Sequence, residues 1–187
     1  GIARNLELAH RIGQSDGSRG LELAIGQALV AHQAADELRL LLTRLTADRT
    51  DGPGLAAMVR QQASLFEQRT GIEVDVMADG LQPEASRTPG VEHAIMRVVQ
   101  EALTNVLKHA KATHVRLEAA SGDGWLDVVL TDNGTGFDPT KDHGMGIRLM
   151  KGRAERLGGT LFVEARPEGG TKVAVRIPER GTTGGKR

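Results

Sequence analysis

Asp132 closes a hydrophobic stretch, "WLDVVL" (125–130) with Thr131, and is followed by two G-x-G pairs, Gly134/Gly136 and Gly144/Gly146. A carboxylate at a strand end can accept a hydrogen bond from a ligand amine. Asp-Asn-Gly also favours turns, where the same carboxylate caps backbone. Taken alone, Asp132 leaves both roles open. Glycine loses more conformational entropy on folding than any other residue, so such a cluster points to backbone that bends unusually or approaches a ligand closely. Gly144 and Gly146 lie at the start of an amphipathic stretch. Unpaired N–H groups and the helix dipole at such a start suit a phosphate. The pattern is not a Walker A loop, because no Lys-Ser/Thr follows at the right spacing. It is not a dinucleotide fingerprint either, because Leu149 stands where the third small residue belongs.

A second group lies upstream. Glu101, Asn105 and Lys108 or His109 recur at helical spacing, opposite an apolar stripe of Val91, Ile95, Val98, Ala102 and Val106. A carboxylate, an amide and a base on one helix face suit a Mg²⁺-bound polyphosphate, since Mg²⁺ takes hard oxygen ligands and often few from protein. The same spacing also describes a solvated helix face.

These residues need elements to hold them. Periodicity predicts a helix over 55–70 with Leu55, Met58, Val59, Gln62, Leu65 and Phe66 on one face, stopping at Gly71. An alternating strand (72–77), a loop (78–90) and a long helix (91–110) follow. Strands at 113–119 and 125–131 flank a turn at "SGDG". A helix over 145–157 ends at Gly158-Gly159, and strands at 160–165 and 171–177 flank "RPEGG". Hairpins with helices between them predict an α+β domain whose mixed sheet is covered on one face by helices. Upstream, short and long helices are expected at 3–12 and 21–46. The leucine-rich seam of the second, Leu21, Ile25, Leu38, Leu42 and Leu45, calls for a second copy of the chain to complete a bundle. The expected domains are 1–48 and 54–180, joined by a linker and followed by a polar tail, 181–187.

Composition narrows the classes. The 187 residues carry 24 basic and 24 acidic side chains, so a nucleic-acid partner, which requires a basic face, is not expected. With three Phe and one Trp, a base-stacking platform is not expected either. There is no cysteine, which excludes disulfides and thiolate metal sites and fits a reducing compartment. No run is long enough to span a membrane.

Four segments, "QEALTNVLKHAKAT", "VVLTDNGTGFDP", "HGMGIRLMKGRAERLGGTLFVEA" and "GGTKVAVRIP", occur in order. Together they resemble the N box, G1 box, G2 box and closing strand of sensor histidine kinases, within the superfamily shared with gyrase, Hsp90 and MutL. The "R-A-E-R-L-G-G-T-L" ending and the short lid (137–143) resemble the subfamily that signals to helix-turn-helix response regulators of the nitrate-response type. The likeness covers residues 54–178. It implies a Bergerat-type two-layer α/β sandwich preceded by a partial helical hairpin, with ATP and Mg²⁺ as ligands. By resemblance, Asp132 receives the adenine amine, Gly134 and Gly136 shape the pocket beside the base, and Asn105 binds Mg²⁺. Lys108 or His109 reaches phosphate oxygens, and Glu101 orients the reacting groups. His143, Gly144, Met145, Gly146 and Ile147 line the nucleotide from the lid and the helix start. Thr171 supports the adenine aspartate through its hydroxyl or a water.

Residues 1–46 resemble the later part of the family's dimerisation and phosphotransfer region. Its acceptor motif, a histidine followed by an acid, is not found there: His10 precedes Arg11 and His32 precedes Gln33. The expected function is therefore the ATP-binding kinase core of a sensor histidine kinase whose acceptor lies outside this chain. The chain is expected to bind ATP or ADP without phosphorylating itself. Expected partners are a response regulator and, in the intact protein, a second subunit. The expected location is cytoplasmic, without direct membrane contact by this chain; anchoring of the intact protein through upstream segments is left open. Two alternatives are an anti-sigma-factor-type serine kinase and a nucleotide-dependent interaction module.

Overall fold

The computed structural model describes residues 54–81, 88–137 and 144–180. The chain divides into two units, Gly1–Asp48 and Arg49–Arg187, and all described residues belong to the second. The helices expected at 3–12 and 21–46, and lid residues 138–143, lie outside the described residues.

Helix α1 (Leu55–Thr70) buries Leu55, Val59, Ala63 and Phe66. Leu65, expected inside, is exposed, and Ala63 takes the inward position. At about 100° per residue the buried stripe is centred well away from Leu65, which falls roughly a third of a turn off it. Gln62 sits at the stripe's polar border and accepts a hydrogen bond from Gln100 Nε2 at 3.2 Å. Strand β1 (Glu73–Gly80) follows. It runs three residues past the expected end, because its parallel pairing with β2 (His114–Gly122) resumes at Gly80↔Ala120 after a register shift.

Helix α2 (Pro89–Asn105) starts with proline in its first turn, where the missing N–H has no partner to lose. Val91, Ile95, Val98, Ala102 and Val106 are all buried, as their spacing predicts. The helix does not continue as α to residue 110. Val106–Ala110 form a π turn, and Lys111 then adopts φ 52° to end it. Nothing in the apolar periodicity distinguishes the wider turn.

Strands β2 and β3 (Trp125–Asp132) form a hairpin around Asp123 and Gly124, both with positive φ, as a two-residue turn requires. Helix α3 (Met145–Arg156), β4 (Thr160–Ala165) and β5 (Thr171–Pro178) complete the unit. The strand order is β1-β2-β3-β5-β4, with β1–β2 parallel and the other pairs antiparallel. Alternate residues of the central strands, such as Val115, Leu117, Leu126, Val128, Val175 and Ile177, share one core with the helices. Their neighbours Arg116, Glu118 and Arg176 face solvent. This is the expected mixed sheet with helices on one face. On the open face Arg176 lies 5.1 Å from the Trp125 ring and 3.6 Å from Asp127.

Candidate functional site

A cavity of about 600 Å³ opens between α2, the end of β3 and the start of α3. Its inner wall is apolar, from Ala102, Val106, Leu130, Met150, Val163 and Val173. Its polar groups are few: Asn105, His109, Asp132, Thr135 and Thr171. An apolar cleft with a few convergent polar groups is the usual form of a small-molecule site.

Asp132 is 3% exposed and lines this cavity. Its Oδ1 accepts the Gly134 N–H at 2.8 Å. Its Oδ2 takes no hydrogen bond from the described residues. The two readings of Asp-Asn-Gly therefore coexist in one side chain, with one oxygen capping the turn and the other left over. Asn133 fixes the turn to the start of β2. Its Oδ1 accepts from Thr113 N and His114 N, both at 3.0 Å, and its Nδ2 donates to Thr113 Oγ1 at 2.9 Å. Thr171 lies one step beyond the last pairing of β3 with β5, Thr131↔Lys172, and, like Asp132, lines the cavity. No direct hydrogen bond joins Thr171 to Asp132 in this structure.

The glycines divide by role. Gly136 and Gly144 line the cavity. Gly134 does not. A Cβ there would lie 2.2 Å from the Ala110 oxygen, and Thr135 N donates to that same oxygen at 2.8 Å. Gly134 is thus required by the loop's passage across the end of the π turn. Gly146 lines the cavity and also answers a packing demand, since a Cβ there would meet Glu101 Oε1 at 2.0 Å. Glu101 is outside the cavity lining, with its carboxylate against the first turn of α3.

The π turn sets Lys108 and His109 apart. At about 100° per residue, Lys108 would stand roughly 60° and His109 roughly 40° from Asn105 on an α-helix, so spacing leaves both open. A wider turn advances less per residue, carrying Lys108 further from Asn105 and bringing His109 closer to its line. Accordingly Asn105 and His109 line the cavity, whereas Lys108 is exposed and does not. The Asn105 amide has no hydrogen-bond partner among the described residues. Ile147 lines the cavity from α3, Met145 is half-buried outside the lining, and His143 lies outside the described residues.

Sequence reasoning missed Thr135 of the lining, the wall residues Met150 and Val163, and Arg166, whose Nη1 donates to the Asp132 carbonyl at 3.1 Å. The wall residues carry no signal beyond their apolar spacing. Arg166 was visible only as part of a turn. Among the described residues no three His, Cys, Asp or Glu side chains group to hold a metal, and no helix is long and apolar enough to cross a membrane.

Helices thus pack on one face of a mixed five-stranded sheet, and an aspartate at a strand end and an asparagine on a helix line the same apolar cleft. Residues 90–181 match the histidine kinase-, DNA gyrase B- and HSP90-like ATPase family. The signal transduction histidine-protein kinase/phosphatase DegS of Brevibacillus brevis is 38% identical over 145 residues, 76% of this chain and 37% of that protein. Sensor histidine kinase YxjM of Bacillus subtilis (strain 168) is 34% identical over 149 residues, 80% of this chain and 36% of that protein. The chain thus spans little more than a third of the curated relatives it matches. The histidine kinase domain of the Erythrobacter litoralis EL346 blue-light activated histidine kinase shares the fold. It has a TM-score of 0.60 and 24% identity, and the match covers 95% of this chain and 85% of that one. Residues 90–181 belong to this ATPase family, and the chain carries an ATPase domain similar to that of sensor histidine kinases.

Proposed function

We propose that the cavity binds Mg-ATP with the adenine at Asp132 and the phosphates toward Asn105 and the start of α3. The observation that carries this is the split Asp132 carboxylate, one oxygen held by Gly134 N–H and the other unclaimed at the wall of an apolar cleft. Oδ2 accepts from the adenine 6-amino group, while Val106, Leu130, Ile147 and Val173 exclude water from the base. Thr171 holds a water shared with Asp132. His109 donates to phosphate oxygens at the cavity's polar end, with the N–H groups of Gly144, Met145 and Gly146 beside it. Glu101, packed against Gly146, orients that helix start toward the reacting phosphate.

The donor set fits Mg²⁺: the Asn105 amide oxygen is hard, unclaimed by the described residues, and faces the cavity. With no carboxylate cage beside it, the ion would keep waters and phosphate oxygens for its other positions, as Mg²⁺ commonly does. Bound there, it would neutralise phosphate charge. In the intact protein the γ-phosphoryl passes to a histidine of a dimerisation helix. It then passes to an aspartate of a response regulator with helix-turn-helix output, of the nitrate-response type on the strength of the "RAERLGGTL" ending. The homodimer is carried by the seam within 21–46. The protein works in the cytoplasm.

Calorimetric titration with Mg-ATP tests the site. Asp132→Asn replaces an acceptor for the amine with a group that cannot both cap Gly134 and receive the base. A charged hydrogen bond contributes about 1.5–3 kcal/mol, so ATP affinity falls about 10- to 100-fold. Unchanged affinity in the folded variant rejects the assignment.

A further inference from the structure

The β4–β5 turn, Arg166 to Gly170, leaves no cavity-lining side chain, yet it is packed against the backbone of the loop that carries Asp132. Gly170, at φ +87°, passes so close that a Cβ there would lie 1.9 Å from the Asp132 oxygen and 3.2 Å from Asn133 Cα. A Cβ on Gly136 would meet the Gly170 oxygen at 3.3 Å. The turn is internally tied: Arg166 N donates to Gly170 O at 3.0 Å and Gly169 N to Arg166 O at 3.1 Å. From this platform the Arg166 guanidinium reaches back. Its Nη1 donates to Asp132 O at 3.1 Å, and its Nη2 pairs with Glu168 of the same turn. The side chain is 29% exposed, so this is a partly desolvated, charge-assisted bond. The Glu168 carboxyl is held below its usual range by a backbone hydrogen bond and by the Arg166 guanidinium.

We propose that Arg166 is a positioning residue for base recognition, holding the Asp132 main chain so that Oδ2 meets the exocyclic amine of a purine. The inference rests on the adenine-site reading of Asp132. Asp132 is gripped at two points, its Oδ1 by Gly134 N–H and its carbonyl by Arg166, and together these fix the direction of the remaining oxygen. Glu168 fixes the guanidinium in turn. Lysine at 166 can donate to the carbonyl but cannot serve both partners with a planar fork. The contact acts on the base end of the cavity, whereas Asn105 and His109 act at the other.

The test is a titration of the full chain with ATP and with purine riboside triphosphate, which lacks the 6-amino group, in wild type, Arg166→Ala, Arg166→Lys and Glu168→Gln. Wild type binds ATP more tightly than the analogue. Arg166→Ala loses about tenfold in ATP affinity and under about twofold for the analogue, so discrimination collapses; Arg166→Lys recovers part of it, and Glu168→Gln loses about two- to threefold for ATP alone. If Arg166→Ala is unfolded by its thermal melt, the lysine and Glu168 variants decide, because neither removes a core contact. A wild type that discriminates alongside variants that discriminate equally, or that lose both ligands in proportion, overturns the role of Arg166 and leaves Asp132 standing. A wild type that binds the two nucleotides alike overturns the Asp132 reading and this inference together.

Discussion

At the residue scale, chemistry is divided between two ends of one cavity. In the proposed orientation, Asp132 supplies at the base end a carboxylate oxygen that no described residue claims, and Asn105 a likewise unclaimed amide at the phosphate end. Asn105→Ala should therefore leave adenine recognition intact while reducing the gain in ATP affinity that Mg²⁺ provides. The expected reduction is about tenfold, comparable to one charge-assisted contact. Titrations with and without Mg²⁺ check it, and a fully retained Mg²⁺ gain removes Asn105 from the ion. His109→Ala should weaken triphosphate binding by about three- to tenfold, and Lys108→Ala by less than about twofold, because only His109 lines the cavity. Equal losses in a side-by-side titration would mean that the π turn does not select between them. Asp132 was legible in the sequence because it ends an apolar strand beside two G-x-G pairs, and Asn105 because it falls at helical spacing from Glu101 on the face opposite the apolar stripe. Arg166 was not legible, because its role depends on two turns meeting that lie 34 residues apart.

At the element scale, the strands were readable from alternation, and their bounds moved by at most a few residues. What could not be read was the π turn at Val106–Ala110, because its apolar positions, Val106 and Ala110, satisfy an α pattern equally well. The second blind spot was the reason for each glycine. The loop glycines read as two ligand-facing pairs, and spacing did not show that a Cβ on Gly134 meets the backbone of Ala110 whereas one on Gly144 meets open space. Gly134→Ala should consequently destabilise the unit by about 2–3 kcal/mol, since backbone cannot yield as a side chain can. Gly144→Ala should cost about 0.5 kcal/mol or less, the difference of a helix cap without a clash. Denaturant midpoints with unchanged slopes measure both. A neutral Gly134→Ala would place the loop away from the π turn.

At the scale of the whole molecule, one layer of helices on one face of the sheet was inferable, since hairpins alternating with amphipathic helices admit few other packings. The expected bundle over 21–46 has no such check among the described residues, and sedimentation over a concentration range tests it: self-association weakened by Leu38→Asp and Leu42→Asp is the expected result. The same region bears on activity. Neither His10 nor His32 has an adjacent carboxylate to manage its proton. Incubation of this chain with γ-labelled ATP should therefore yield bound nucleotide but no acid-labile phosphate; label on His10 or His32 would relocate the acceptor. The central claim is the orientation of ATP between Asp132 and Asn105. A crystal structure of the chain with Mg²⁺ and a non-hydrolysable ATP analogue tests it most directly. The account predicts the adenine amine about 3 Å from Asp132 Oδ2 and the metal on the Asn105 amide oxygen. A nucleotide bound outside this cavity, or bound in it with its phosphates at Asp132, would contradict the account.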